Sequence, residues 1–323
     1  MTVEQQTRFR TLKDIPTPDY MSPGGSLCAG CGGLLAVRLF HKVLGPNLVW
    51  VNAAGCLTVM VNYPYVPLKS NWLYTAFASA PAGAQGVRDA FDILIQKGKI
   101  PAEEDVKVVV LTGDGGAYDI GLQSTSGAMY RNLDFYYLCY DNQAYGNTGF
   151  QVSSATPIGS ATATTPPTPS EPGGNMFKRK DLFEIWRAHK PPYIATLSSS
   201  FAVDFLRKVE KGSKMKGPKL FISLAGCPTG WGYDPRETIR EEKLAVDTGI
   251  WPLKEAVNGE VKHTYLPRAL KPVEEYLSTQ ARYEHLFRPT KRTEVIRMIQ
   301  NDVNNYWKMV SKDENVEIRL VGE

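Results

Sequence analysis

An apolar segment that ends in a glycine-rich turn constrains the fold of this chain more than any other feature. The segment VKVVVLTGDGG (106–116) has the short, continuous apolar run of a buried strand. A helical pattern follows at 119–132, and a second apolar strand follows at 134–142. This strand–turn–helix–strand order is a βαβ unit. It predicts a doubly wound, mostly parallel α/β sheet with helices on both faces.

Other patterns extend this α/β prediction along the chain. Gly45 suits the C-cap of a first helix, and later apolar runs alternate with helical ones. The predicted strands are 48–56, 192–200 and 218–227; the predicted helices are 34–45, 78–98, 201–212, 271–282 and 293–308; a loop is predicted at 60–74. We expect three parts: an N-terminal arm at 1–24, a main domain at 25–232 and a C-terminal extension at 233–323.

The segment 151–180 is rich in serine, threonine, alanine, proline and glycine. Such composition is typical of a disordered linker. A long loop inside a compact enzyme is often a lid or a binding loop instead. Because a βαβ pattern resumes after it, the sequence favours an ordered, functional loop.

Composition excludes several classes of protein. The chain has 323 residues, 43% of them hydrophobic, which is enough for a sizeable core without disulfide bonds. The net charge of +4 is spread over interspersed charges, so nucleic-acid binding is not indicated. The first residues lack the apolar region of a signal peptide, and no apolar run is long enough for a transmembrane helix. We therefore expect a soluble, cytoplasmic protein that does not bind membranes.

The turn Gly113-Asp114-Gly115-Gly116 lies where a strand ends and a helix begins. Glycines there let the backbone approach a ligand closely, and the free N–H groups of a helix N-terminus suit a diphosphate. Asp114 adds an oxygen ligand of the kind that magnesium prefers. Alone, Gly-Asp-Gly is a weak signal, because it also forms plain turns.

A second polar pair strengthens this prediction. Asp141-Asn142 ends the next strand, 28 residues after Asp114. Adjacent parallel strands bring their carboxyl ends together at the edge where such folds bind ligands. Asp114 and Asn142 could therefore reach one cation.

The cysteines form a third signature. Cys28 and Cys31 make a CxxC within CAGCGG; Cys56 follows in AAGC, and Cys227 lies far downstream in LAGC. Small residues flank each thiol, which leaves room for an inorganic cluster, and four thiolates can hold a [4Fe–4S] cluster. Spacing alone leaves the presence of a cluster open.

The cysteines and histidines also allow other interpretations. A redox CxxC would not need Cys56 or Cys227, and a structural zinc site usually shows two close pairs. Cys139 lies in the apolar strand DFYYLCYD and is predicted to be a buried, small apolar residue. The histidines show no metal-ligand spacing and are predicted to be structural or surface residues: His41, His189, His263 and His285.

Together these signatures resemble one family, the 2-oxoacid:ferredoxin oxidoreductases. The chain is most similar to the thiamine diphosphate-binding beta subunit of the pyruvate:ferredoxin oxidoreductase (pyruvate synthase) branch. The resemblance covers roughly 25–290. It depends on five segments in this order: CAGCGG, NAAGC, GDGGAYDIG, YDNQAYGNTG and GCPTGW.

The resemblance implies the fold of thiamine diphosphate-binding domains and a set of site residues. Asn147 would lie beside the reactive part of the cofactor and the substrate, although Asn-Thr-Gly is also a good turn sequence. Thiamine diphosphate and Mg²⁺ would be bound by Gly113, Asp114, Gly115, Asn142 and the backbone carbonyl of Ala144. A [4Fe–4S] cluster would be ligated by Cys28, Cys31, Cys56 and Cys227.

The same resemblance implies an oxygen-sensitive, heteromeric enzyme of anaerobic metabolism. It would decarboxylate a small 2-oxoacid oxidatively, pyruvate with coenzyme A, and pass electrons through its cluster to ferredoxin. Alpha and gamma/delta-type subunits would complete it. One would supply the glutamate that activates the cofactor and another the ferredoxin-like clusters, because this chain shows neither signature. The extension 233–323 would pack on the domain or on these partners.

Two departures from the family pattern leave the substrate open. Thr58 stands where many pyruvate-type relatives have an acidic residue, and YTAFASAPAGAQG also differs. A relative that oxidises oxalate to CO₂ without coenzyme A therefore stays an alternative. A stand-alone thiamine decarboxylase would be longer, carry its own glutamate and not need four cysteines. A non-catalytic metal-binding scaffold would not explain Asp114 and Asn142.

Overall fold

The computed structural model describes residues 7–64, 66–102 and 106–322. These residues form a mixed, mostly parallel sheet with helices on both faces, which confirms the predicted fold class. The strands are β1 (Leu48–Ala53), β2 (Asn71–Thr75), β3 (Lys107–Gly113), β4 (Tyr136–Asp141), β5 (Tyr193–Ser198), β6 (Lys219–Leu224), β7 (Lys254–Val257) and β8 (Glu260–His263). The α-helices are α1 (Gly32–Leu44), α2 (Ala80–Gln96), α3 (Leu122–Tyr130), α4 (Leu182–Arg187), α5 (Ala202–Ser213), α6 (Thr238–Asp247), α7 (Val273–Leu277) and α8 (Thr293–Asp313).

The strand order in the sheet is β2-β1-β3-β4-β6-β5-β7-β8. All neighbours from β2 to β5 are parallel, and β7 and β8 continue the sheet as an antiparallel hairpin. The strands β1, β3, β4 and β6 are therefore consecutive neighbours whose carboxyl ends meet at one edge. That edge holds every segment that the sequence analysis selected for chemistry.

Two apolar cores sandwich the sheet. Along β4, Tyr136 and Leu138 face the core beneath α1 and α5, whereas Tyr137 and Cys139 face the core beneath α2, α3 and α4. All six residues of β4 are buried, because a parallel sheet covered on both faces has no solvated side. This burial explains the continuous apolar runs in the sequence.

The predicted loop at 60–74 is wrong at its end, because residues 71–75 form the edge strand β2. Its side chains are mostly exposed, so the segment lacks the apolar alternation that marks a half-buried strand. Two earlier residues of interest, Cys56 and Thr58, lie in a 3₁₀ turn, Cys56–Val61.

The segment after Gly232 contains elements that the sequence analysis missed: α6 and the hairpin β7–β8. The hairpin strands have four residues each, too short for a periodic signal, but Asn258-Gly259 is a typical two-residue hairpin turn that could have revealed them. The division of the chain at Gly232 stays a prediction; the structure adds that β7 pairs with β5 of the main sheet.

The segment 151–180 is an ordered loop. Gly159 and Ser160 exchange backbone hydrogen bonds with Asn175, which is buried. Further along, Arg179 and Lys180 bind carboxylates at the centre of the sheet edge. Across the described residues, no helix is long and apolar enough to cross a membrane.

The central strand β4 gives a direct test of this core. Replacing Leu138, which is fully buried, by alanine leaves a cavity and should lower the free energy of unfolding by about 2–5 kcal/mol. The matched change Leu12→Ala removes an exposed leucine and should cost less than about 0.5 kcal/mol. Urea denaturation of both variants measures the difference, and equal midpoints would contradict the assigned packing.

Candidate cofactor and metal site

Four neighbouring strands deliver the site residues to one edge of the sheet. Register places Asn52 of β1 beside Leu111 of β3, Gly113 beside Tyr140 of β4, and Asp141 beside Leu224 of β6. The segments that follow these strands therefore start at similar positions along the strand direction, at the same edge of the sheet. They carry Cys56 after β1, Asp114 after β3, Asn142 after β4 and Cys227 after β6.

Three oxygen atoms converge at the centre of this edge. The Asn142 side-chain oxygen, Oδ1, lies 2.7 Å from the Ala144 carbonyl oxygen and 2.8 Å from Asp114 Oδ1. Neighbouring oxygens around octahedral Mg²⁺, at 2.0–2.1 Å from the metal, lie about 2.9 Å apart. The arrangement therefore matches part of a magnesium shell.

A rotated Asn142 amide is the alternative, since its nitrogen would then donate to the same two oxygens. In the other orientation that nitrogen faces Cys56 Sγ at 3.9 Å. Without a metal, the rotated amide satisfies its hydrogen-bonding atoms better. A bound cation would favour Oδ1 toward Asp114 and Ala144, and the amide nitrogen would then face an iron-bound Cys56 thiolate.

Asp114 is fully buried, and its environment disfavours an unpaired charge. Burial, followed by the nearby Asp141 carboxylate, raises the pKa of Asp114 well above its ordinary value. The Ser153 hydroxyl donates to Asp114 Oδ2, which partly offsets this. A divalent cation would supply the missing opposite charge.

Asp141 has its own partners and plays a different part from Asp114. Its Oδ2 accepts hydrogen bonds from the Tyr118 hydroxyl at 2.6 Å and from Arg179 at 2.5 Å. Arg179 belongs to the ordered loop 151–180, so that loop neutralises Asp141. Sequence analysis missed Tyr118, Ser153 and Arg179, because no local pattern shows which distant side chain will reach a buried carboxylate.

Glycines surround a cavity of about 150 Å³ beside these oxygens. A methyl group on Gly115 would lie 2.3 Å from the Tyr145 ring, and one on Gly116 would lie 2.0 Å from Thr112 Oγ1. A helical turn, Gly115–Ile120, begins directly at this point. The cavity walls include Ala54, Gly55, Cys56, Phe77, Gly113, Gly115, Tyr140, Asn142, Ala144, Tyr145, Gly146, Asn147 and Thr148.

Asn147 lines this cavity and is exposed there, as a substrate-facing side chain would be. Thr58 does not line it. The Thr58 hydroxyl instead accepts a hydrogen bond of 2.7 Å from the Asn52 side chain of β1. The departure at Thr58 therefore lies outside the cavity lining.

Three separate segments bring four thiols near one another. Burial raises the pKa of Cys31 to about 11, and the charges of Cys227 and Cys28 add to this effect. Burial likewise raises the pKa of Cys56 to about 12, with further contributions from Cys227 and Cys31. Because each thiol is within electrostatic range of the others, the structure gathers the four predicted cluster residues in one region.

Within the described ranges, no three His, Cys, Asp or Glu side chains are arranged around a single metal ion. A cubane cluster differs, because each thiolate binds a different iron and the four sulfurs stand further apart. The predicted magnesium ligands include one carboxylate only, with an amide and a backbone oxygen. The fifth cysteine, Cys139, is fully buried in the core, as predicted.

None of the four histidines lines the cofactor cavity. Burial lowers the pKa of His41 to about 4, so it stays neutral in an aromatic cluster with Trp50 and Tyr20. His263 contacts Glu314 and Tyr306 at the far end of the sheet. These contacts agree with structural roles.

A buried glutamate that the sequence analysis missed ties the cysteine segments together. Glu242 of α6 accepts hydrogen bonds from the backbone N–H of Gly226 at 3.1 Å and of Ser199 at 2.9 Å. Gly226 precedes Cys227, and its carbonyl accepts from Gly32, which follows Cys31. A methyl group on Gly32 would lie 2.6 Å from Glu242 Oε1, so the two segments close over this carboxyl group.

Comparison with known proteins places this geometry in a family. The profile of "Thiamine pyrophosphate enzyme, C-terminal TPP binding domain" matches residues 53–222. The chain is 46% identical to the pyruvate synthase subunit PorB of Methanocaldococcus jannaschii over 85% of its own length and 92% of that protein's length. The chain belongs to the 2-oxoacid:ferredoxin oxidoreductase family, as a thiamine diphosphate-binding subunit.

Two further relatives show the breadth of this family. The chain is 37% identical to the ketoisovalerate oxidoreductase subunit VorB of Pyrococcus abyssi, over 92% of its length and 94% of that protein's. A solved 2-oxoglutarate:ferredoxin oxidoreductase from Magnetococcus marinus matches with a TM-score of 0.53 and 22% identity, over 65% of this chain and 67% of that one. The latter shows the shared fold. The predicted family and the predicted enzyme class are therefore confirmed.

The Glu242 contacts in this family member generate a pH prediction. Burial raises the pKa of Glu242 to about 7, against 4.5 in the unfolded chain, so between these values the native state binds a proton that the unfolded state lacks. The stability that protonated Glu242 contributes to the native state is fully present below pH 4.5 and is lost as the pH rises through 7. Urea denaturation measures the free energy of unfolding from pH 5 to 8, and that of the wild type should fall by about 2–3 kcal/mol relative to Glu242→Gln. If the free energies of the two proteins changed with pH in parallel, the pKa of Glu242 would not be raised by burial.

Proposed function

We propose that this chain is the catalytic beta subunit of a 2-oxoacid:ferredoxin oxidoreductase that decarboxylates pyruvate oxidatively with coenzyme A as acyl acceptor. The observation that carries the proposal is the position of Cys56. It lines the cofactor cavity, faces Asn142, and lies within electrostatic range of the other three cysteines. A thiamine site and a cluster site therefore share a wall.

The residues fit thiamine diphosphate with Mg²⁺. Asp114 Oδ1, Asn142 Oδ1 and the Ala144 carbonyl would ligate the magnesium ion, which would in turn bind the diphosphate. Gly113 and Gly115 line the cavity at a helix N-terminus, where the diphosphate would bind. When bound, the cofactor supplies the carbanion that breaks the bond between the carboxylate and the 2-carbonyl carbon. Asn147 faces the cavity, where it can orient the substrate.

The residues also fit a [4Fe–4S] cluster held by Cys28, Cys31, Cys56 and Cys227. The raised pKa values of Cys31 and Cys56 mean that the fold disfavours unpaired thiolates at these two positions, and iron would supply the compensating charge. Such a cluster accepts electrons one at a time, which suits ferredoxin as the final acceptor. Cys28 is exposed, so this end of the cluster site faces outward.

Partner subunits are needed to complete the enzyme. No glutamate lines the cofactor cavity in the part of the chain that the structure describes, so the cofactor-activating glutamate would come from an alpha-type subunit. Exposed apolar side chains offer a surface for it, including Tyr74 and Ile120. A gamma/delta-type subunit would carry the ferredoxin-like clusters. None of the five cysteines forms a disulfide bond, which is typical of proteins of the reducing cytoplasm.

Asp114 and Cys56 give a paired test of the two cofactor sites. Asp114→Ala should weaken thiamine diphosphate binding more than ~100-fold, because losing outer partners of a metal ligand alone costs about 10–100-fold. It should leave the cluster absorbance intact. Cys56→Ser should do the reverse, with iron falling below four atoms per chain.

The matched controls for this pair are Asp313→Ala, an exposed aspartate at the end of α8, and Cys139→Ala, a buried cysteine outside the site. Both should retain full thiamine and iron contents. Full thiamine content and activity in Asp114→Ala would show that the diphosphate site is wrongly assigned.

Substrate choice is tested by viologen reduction with the anaerobically purified complex. Pyruvate should support reduction only with coenzyme A, and at least ~10-fold faster (kcat/KM) than 3-methyl-2-oxobutanoate, a difference of about 1.4 kcal/mol in transition-state binding. Reduction with oxalate and without coenzyme A would replace this proposal by an oxalate oxidoreductase. Reduction with neither would favour a non-catalytic scaffold.

A further inference from the structure

A second cavity, about 380 Å³ in volume, lies on the core side of the ordered loop 151–180. It shares no lining residue with the cofactor cavity. Its walls come from the start of α4, the middle of β5 and β6, the turn before β7, and α8. Its volume lies in the range of sites for small molecules, which span about 300–1,000 Å³.

The walls of this cavity are mainly apolar and aromatic. Phe183, Trp251 and Tyr306 stand around it, with aliphatic side chains such as Ile222 and Ile299 between them. Several charged residues also line it, but most already have partners. Arg179 pairs with Asp141, Lys180 with Asp119, and Lys178 with Asp302.

Lys254 is the exception among these cations. Its side chain lines the cavity although the residue is only 6% exposed. The ammonium nitrogen lies 4.3 Å from the centre of the Phe183 ring and 5.5 Å from that of Tyr306. The Lys254 ammonium group makes no hydrogen bond or ion pair with any described residue. The faces of these two aromatic rings are therefore the nearest groups that stabilise its positive charge.

Such a position is costly for an ammonium group. Burial lowers the pKa of Lys254, and the more distant Asp181 and Glu184 only partly restore it. Buried charges are normally paired. An anion in the cavity would complete the site by accepting hydrogen bonds from Lys254 while its remaining atoms contact the aromatic walls.

We propose that this cavity is a second ligand site, which binds a small organic anion with an apolar body. The carboxylate or equivalent group would pair with Lys254, and the apolar body would pack among Phe183, Trp251 and Tyr306. This site is separate from the proposed thiamine chemistry and does not depend on it.

The occupant would also contact the metal-binding segment. Gln143 lines the cavity and lies between Asn142 and Ala144; it is 1% exposed, and its side-chain oxygen has no hydrogen-bond partner. A ligand that packs against this side chain, or that shifts Arg179, would act on the neighbours of Asp114. Coupling between two sites is reciprocal, so the anion would change the affinity for thiamine diphosphate. This second step rests on the proposed function.

Calorimetric titration of the purified complex tests the site with a matched pair of probes, 4-phenylbutyrate and its neutral analogue 4-phenylbutan-1-ol. We expect the carboxylate to bind about tenfold more tightly or better, since hydrogen bonds to charged groups are worth more than neutral ones. Lys254→Met should abolish that difference. Lys262→Met, which removes an exposed lysine of β8, should preserve it.

Failure of 4-phenylbutyrate to bind saturably, or a carboxylate preference that survives Lys254→Met, would overturn the proposal. If Lys254→Met does not fold, Ile299→Trp replaces it, because the larger ring fills the cavity without touching the charge. Binding of both probes should then be lost, and retained binding would place them elsewhere.

A further titration tests the coupling. Thiamine diphosphate is titrated with and without saturating 4-phenylbutyrate, and its Kd should change at least twofold. An unchanged Kd would refute the coupling. Failure of thiamine diphosphate to bind at all would refute the proposed function. The anion site would then be judged from the titration of the two probes alone.

Discussion

The burial of one carboxylate determines how the functional edge of this sheet is built. Asp114 lies at the end of a central strand with no exposure to water and with a second carboxylate, Asp141, nearby. Two adjacent buried anions are unfavourable unless each receives an opposite charge. Arg179 pairs with Asp141 and neutralises it. Asp114 has no such partner, and its carboxylate lies with the oxygens of Asn142 and Ala144 around a position where one cation could bind. The proposed magnesium site follows from this division of charge.

Sheet topology explains why residues from distant parts of the chain meet. Because β1, β3, β4 and β6 are parallel neighbours, the segments after them converge at one edge. Cys56 and Cys227 therefore approach the turn at 113–116 although 170 residues separate the two cysteines along the chain. Cys28 and Cys31 reach the same region through the start of α1, where Gly32 bonds to Gly226 beneath Glu242. Under the proposed function, this arrangement keeps the electron acceptor next to the reacting cofactor.

The sequence predicted the βαβ centre and the site segments because they depend on local patterns: apolar runs, glycine turns and a strand order that parallel topology restricts. It failed where tertiary contacts decide the outcome. The edge strand β2 has exposed side chains, and β7 and β8 are short, so none of these three strands gives a periodic signal. Glu242, Ser153 and Arg179 lie far along the chain from the groups they contact. Lys254 likewise looked like an ordinary polar residue of the tail, since its burial depends on α4 and α8 packing over it.

The proposed chemistry requires that Asp114, Asn142 and Ala144 hold a divalent cation that binds the diphosphate. Titration of thiamine diphosphate into the metal-depleted complex, with and without Mg²⁺, measures this directly. We expect tight binding only when Mg²⁺ is present, together with uptake of one ion per cofactor. Equal affinity in the absence of a divalent cation would contradict the account, because the three converging oxygens would then be joined by a rotated Asn142 amide rather than by a metal.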